Sequence, residues 1–188
     1  MKKSLALYLF LLLFMIIWTG LIFLPPYAAI SGDEELAYSL YNFHKPLCHQ
    51  ILSRSWCFFS DGTNTWIGNC VEDETVSGER NLLTGRVHYV IIDDAIGWET
   101  GVCARDISIY LGILIGLIVF PFFRKLDSKE IPPAIFYLIA LIPIALDGGT
   151  QFIGLRESTN FLRLITGFIA GFPIAFYVIP MFNRSLLK

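Results

Sequence analysis

The chain has 188 residues, 55% of them hydrophobic and only 16% charged, with a formal net charge of −2. Its mean hydropathy of +0.61 is that of an integral membrane protein rather than a soluble domain. With 14 basic residues against 16 acidic ones, it offers no dominant cationic surface, and nucleic acid is excluded as a partner.

A helix needs roughly 20 apolar residues to cross the hydrocarbon layer. Four stretches approach that length, at about 5–27, 107–123, 131–147 and 161–182. The first follows Lys2 and Lys3 as a signal peptide would, but its apolar core runs to Leu24. That exceeds the roughly 7–15 residues of a cleaved signal, so residues 1–30 are expected to form a retained signal anchor and first transmembrane helix.

Residues 31–104 read as a folded cap. They hold Trp56, Trp66 and Trp98, and a strand-like run "RVHYVII" (86–92) after the turn signal Thr84-Gly85. "SDGTNTWIGN" (60–69) reads as a tight turn region and "VEDETVSGER" (71–80) as an exposed acidic loop. The cap is expected to be part hairpin and part helix.

Residues 105–188 complete a three-helix membrane domain. Pro132 and Pro133 suit the start of its middle helix, Pro143 predicts a kink, and Gly148-Gly149 suggest a tight turn after Asp147. The expected fold is an all-α integral membrane protein with four transmembrane helices and a small mixed extracytoplasmic cap between the first two. Charge orients it. Lys2, Lys3, Arg124, Lys125, Lys129, Arg184 and Lys188 would share one side, while 31–104 carries eleven acidic residues against four basic ones. Basic residues stay cytoplasmic, so both termini are expected inside, with the lipid bilayer as first partner.

Cys48, Cys57, Cys70 and Cys103 all fall on the outer side. An even count in an oxidising compartment points to disulfides. Cys57 and Cys70 bracket the turn-rich segment as a local pair, and Cys48 with Cys103 would tie the cap to the second membrane helix. Spacing does not choose among the three connectivities. Metal ligation and redox-active thiols stay open.

Two membrane helices share a pattern. Arg105, Ser108, Gly112 and Gly116 lie at i, i+3, i+7 and i+11, and Asn160, Arg163, Gly167 and Gly171 repeat the spacing. Small residues four apart let helices approach closely in lipid, so these two helices are expected to pack there and to splay at their polar ends. Arg163 lies a full turn inside its helix, where an unpaired charge is expensive. Asp147 and Asp106 are its candidate partners, with Gln151 four residues after Asp147 and Tyr110 four after Asp106. Arg156 and Glu157 read equally well as headgroup anchors, and Ser158 or Asn160 as the helix cap. The outer segment "FHKPLCHQILSRSW" adds His44, Cys48, His49 and Arg54, and if a helix follows Pro46, His49 or Gln50 and Arg54 lie on one side.

These residues define an expected polar site. Arg54, Arg105 and Arg163, with Tyr110, Gln151 and Asn160, would hold an anionic group such as a lipid phosphate. Asp106, Asp147 or His49 would act as acid or base. Cys48, His49, Cys103 and Asp106 are donor types that suit zinc. The competing classes are a membrane enzyme, a binding or structural subunit, a thiol–disulfide oxidoreductase and a transporter component.

"CHQILSRSW", "VCARDISIYLG" and "DGGTQFIGLRESTNFLRLITG" together resemble a family of small prokaryotic membrane proteins defined as a domain of unknown function. Its pattern has Cys-His-Gln before Arg-Ser and an aromatic, Cys-Ala-Arg-Cys before Tyr-Leu-Gly, and a closing Arg-x-Ser-Thr-Asn with Arg-x-x-Thr-Gly. The resemblance spans roughly 44–54 and 103–171. It implies a polytopic membrane fold and no particular activity. Asp106 stands where the pattern often has a second cysteine, so this chain lacks a Cys-x-x-Cys pair.

Overall fold

The structure, a computed structural model, describes residues 2–48, 51–70, 76–82, 85–92 and 95–186. The chain divides into two compact units, a helical unit of Met1–Thr19 with Ile107–Lys188 and a sheet unit of Gly20–Asp106. Helix α1 (Lys2–Ile30) begins in the first and ends in the second.

In the sheet unit, α2 (Glu34–His44) starts at Asp33, whose side chain accepts the Leu36 N–H, with Glu34 and Glu35 in the first turn. Both devices satisfy or complement the exposed amides of a helix start. The helix lies before Pro46, with Lys45 as its C-cap donating to Tyr41 O at 3.0 Å. A short 3₁₀ turn at Leu52–Arg54 follows. Five strands come next: β1 (Trp56–Ser60), β2 (Thr65–Asn69), β3 (Val76–Leu82), β4 (Gly85–Ile92) and β5 (Ala95–Glu99). They form one sheet in the order β2-β1-β5-β4-β3, and the described pairings are antiparallel.

This unit is mixed, as expected of the cap, with α2 beside a sheet larger than a single hairpin. Part of the expected acidic loop is strand, since β3 pairs with β4 from Val76↔Ile91 to Leu82↔Gly85. The backbone partners come from β4, so the polar composition of β3 does not prevent pairing. The turn before β2 is built on Asp61, which accepts from the backbone N–H groups of Thr63 and Asn64 at 2.8 and 2.7 Å. Cys57, Phe59, Cys70, Val90 and Ala95 form one core cluster, and Ala28, Ala37, Tyr41 and Trp98 form another.

The helical unit contains the end of α3 (Ala104–Phe123), α4 (Ala134–Phe152), α5 (Asn160–Gly171) and α6 (Ile174–Leu186). Among the described residues, four segments are long and apolar enough to cross a membrane: Lys3–Ile30, Ala104–Phe123, Ala134–Phe152 and Asn160–Ser185. Pro173 divides the last into α5 and α6, because it lacks the N–H that would continue the ladder. Pro133 caps α4 as its position suggests. The expected turn at Gly148-Gly149 is absent, and α4 runs on to Phe152. It ends at Gly154, whose φ of +74° is open to glycine without a Cβ clash. There the Leu155 N–H bonds to Thr150 O at 3.0 Å and the Gly154 N–H to Gln151 O at 3.1 Å, the paired bonds of a Schellman close.

Tyr8, Met15, Leu117, Phe120, Ala175 and Ile179 make the core of this unit. Helix α3 meets α5 and its junction with α6 through glycine, as the spacing suggests. A Cβ on Gly112 would stand 2.7 Å from Phe168 O and 2.8 Å from Phe172 N, and one on Gly171 would collide with the Ile109 carbonyl. By contrast, α4 leaves large apolar side chains exposed along its length, among them Phe136, Leu138, Ile142 and Leu146.

Candidate functional site

Sheet pairing builds the first polar cluster. Strand β1 begins beside the end of β5, with Cys57 opposite Glu99 and Ser60 opposite Ile96. The residues entering β1 and those leaving β5 are therefore neighbours despite their separation in the chain. Thr100 is tied to both sides, its N–H bonding to Trp56 O at 2.9 Å and its hydroxyl to Val102 O at 2.9 Å. Gly101 donates to Ile22 O at 3.0 Å, and a Cβ there would lie 3.0 Å from His44 Nδ1. The link into α3 is threaded through a gap that a side chain would crowd.

The next residue but one is Cys103. Its N–H donates to Cys48 Sγ at 3.2 Å, and its thiol donates to Asp106 Oδ2 at 3.2 Å in the first turn of α3. The donor atoms of Cys48, Cys103 and Asp106 all lie within 4.8 Å of one another, and all three residues are half-buried. A cavity of about 150 Å³ is lined by these three with Leu47, Ile51 and Arg54. Arg54 is set by its 3₁₀ turn, in which the Arg54 N–H bonds to Ile51 O at 2.9 Å and the Ser55 hydroxyl to the same carbonyl at 3.0 Å.

The expected Cys48–Cys103 bridge is not formed. The structure joins Cys57 to Cys70 and leaves the other two as thiols, each sulfur engaged in a hydrogen bond instead. Hydrogen bonding to Cys48 pushes the Cys103 thiol far above its ordinary range, and burial and the neighbouring Asp106 charge add to the shift. Catalytic redox cysteines are tuned the opposite way.

Glu99 borders this cluster and sequence reasoning missed it. It is 1% exposed, and burial foremost pushes its carboxyl up to about 8, with the Cys48 charge adding and a Ser55 hydrogen bond opposing. The available signal was an acid closing the apolar strand "AIGWE", four residues before Cys103. His44 is buried too, with Nδ1 2.8 Å from Leu40 O. His49 lies outside the described residues.

A second polar group sits in the helical unit. Asp147, 2% exposed, takes a 2.8 Å ion pair from Arg156, a residue whose position alone suggested a headgroup anchor. Gln151 donates to Glu157 Oε2 at 2.9 Å. Thr159, rather than Ser158 or Asn160, caps α5 by accepting the Leu162 N–H. Arg163 is 1% exposed and donates to Asn160 Oδ1 at 2.8 Å, while the Ser108 hydroxyl donates to Arg163 O at 3.0 Å. Buried Ser158 and Thr166 complete the group. Tyr110 packs edge-on to Trp18 at 5.9 Å beside the apolar core. Arg105 and Asp106 belong to the sheet unit, and Asp147, Gln151, Asn160 and Arg163 to the helical one.

Comparison with known proteins converges on one family. A family model described as "Predicted membrane protein (DUF2085)" matches residues 95–177, from β5 into α6. The chain is 37% identical to "Uncharacterized protein MJ1492" of Methanocaldococcus jannaschii over 193 residues, covering 100% of this chain and 98% of that one. It is also 39% identical over 75 residues to an "Uncharacterized protein" of Methanothermobacter thermautotrophicus, covering 39% of this chain and 65% of that one. No solved structure matches the chain. With a relative of this identity aligned along its whole length, the chain belongs to the membrane-protein family DUF2085.

Proposed function

We propose that this protein is a prokaryotic plasma-membrane protein whose sheet unit faces the outside and carries a metal centre made by Cys48, Cys103 and Asp106. The carrying observation is the convergence of two thiols and a carboxylate within 4.8 Å at the wall of one small cavity. Zinc bonds of about 2.3 Å to sulfur and 2.0–2.2 Å to oxygen bring donors around one ion to roughly 3.5–4 Å apart. Only a small contraction separates the observed cluster from that geometry. The electrostatics agree, since the Cys103 thiol, hydrogen-bonded to Cys48, buried and beside the Asp106 charge, gains from a cation that replaces its proton. Three protein donors with an open side match the pattern of reactive zinc sites more than of closed structural ones.

The test is metal content of the full-length protein purified in detergent. One zinc per chain is expected, lost in Cys48→Ser and Cys103→Ser and held at least about tenfold more weakly in Asp106→Asn. Folded protein that retains no zinc, cobalt or copper at any of these residues defeats the reading.

A further inference from the structure

We infer that the open side of this centre receives a phosphate-type oxyanion gripped by Arg54. The inference rests on the metal reading and names what the site takes beyond the metal. Three protein donors leave the fourth tetrahedral position of a zinc-like ion to an outside ligand. The cavity that the three donors line also holds Arg54, with Leu47 and Ile51 at its edge.

Volume and charge decide the class of ligand. About 150 Å³ is room for a handful of waters at roughly 30 Å³ each, and so for one tetrahedral oxyanion. It is well below the roughly 300–1,000 Å³ of sites that enclose drug-sized molecules. Two thiolates and a carboxylate outweigh a divalent cation by one negative charge, and such a centre alone would repel an anion. Arg54, which lines the same cavity, restores neutrality, and its guanidinium is a planar fork of donors able to bind phosphate through two parallel hydrogen bonds. Leu47 and Ile51 are 47% and 42% exposed, so the mouth has an apolar rim on which a lipid tail can lie. A phosphate oxyanion is the shared chemistry, whether free or as a monoester headgroup borne by a lipid.

Cobalt-loaded full-length protein in phosphatidylcholine nanodiscs tests this. Inorganic phosphate should shift the visible d–d bands of wild-type protein. Arg54→Ala should lower phosphate affinity by about tenfold or more while cobalt affinity stays within about twofold, and Arg54→Lys should fall between. Discs containing phosphatidic acid that reproduce the shift without added phosphate identify a lipid headgroup as the source, and a shift with free phosphate alone identifies the solute. Bands indifferent to both phosphate sources overturn the inference and leave the metal centre standing. Equal losses of cobalt and phosphate affinity in Arg54→Ala overturn it too, reducing Arg54 to a counter-charge. A wild-type protein without a thiolate–cobalt absorption band fails at the earlier step, the metal centre itself.

Discussion

Glu99 ends β5 with its carboxyl out of water, and its backbone carbonyl accepts the Tyr41 hydroxyl at 2.6 Å. Its folded-state pKa near 8 lies above the ordinary 4.5, so folding favours the protonated acid. That contribution is fully present below about pH 4.5 and is lost as pH rises towards 8. Thermal unfolding of the full-length protein should therefore show stability declining across this window by at most a few kcal/mol. Glu99→Gln should flatten the profile. An unchanged slope in that variant would assign the pH dependence elsewhere. The Asp147–Arg156 pair makes a different prediction. Arg156 is 40% exposed and its partner 2%, so Arg156→Gln should cost about 1–3 kcal/mol through loss of one charge-assisted bond to a buried carboxylate. Combining it with Asp147→Asn in a double-mutant cycle should show non-additivity, whereas strictly additive losses would mean the contact carries no coupling.

Glycines of the helices separate by what surrounds them. Gly112 faces the backbone of α5 and of its junction with α6, which cannot step aside, whereas Gly149 has nothing within 4 Å. Gly112→Ala should destabilise the folded protein by about 1–3 kcal/mol through overpacking, and Gly149→Ala should change it by no more than about 0.5 kcal/mol. Unfolding in detergent compares the two directly, and equal effects would contradict the close approach of α3. In the sheet unit, Cys57–Cys70 closes a 13-residue separation beside the β1 core. Removing it with serines should cost roughly 2–4 kcal/mol. Proteolysis of the β1–β2 region at a temperature the wild type withstands would read that loss, and equal resistance would argue against it.

At the scale of the whole molecule, orientation is open to a direct test. Tags in the Asp61–Asn64 turn should be reachable from outside intact cells and tags at Lys125–Ser128 only after permeabilisation, following the distribution of basic residues. The reverse pattern would put the proposed metal centre in the cytoplasm. Membrane class, four segments long and apolar enough to span a membrane, and the glycine contact of α3 with α5 were legible in the chain because hydropathy and residue size act locally, whatever the tertiary context. The end of α4 was not, since Gly148 and Gly149 are tolerated within a helix and the decisive left-handed turn waits for Gly154. Nor was β3, whose partner lies in another strand. The candidate centre divides the same way. Residue types alone marked Cys48, Cys103, Asp106 and Arg54 as chemically interesting. Only the antiparallel pairing of β1 with β5 sets the approach to one strand against the exit from the other. Through that pairing, residues 55 positions apart came to share a hydrogen bond and a buried glutamate joined their surroundings, because proximity across a sheet follows from pairing register, which no local run of residues encodes.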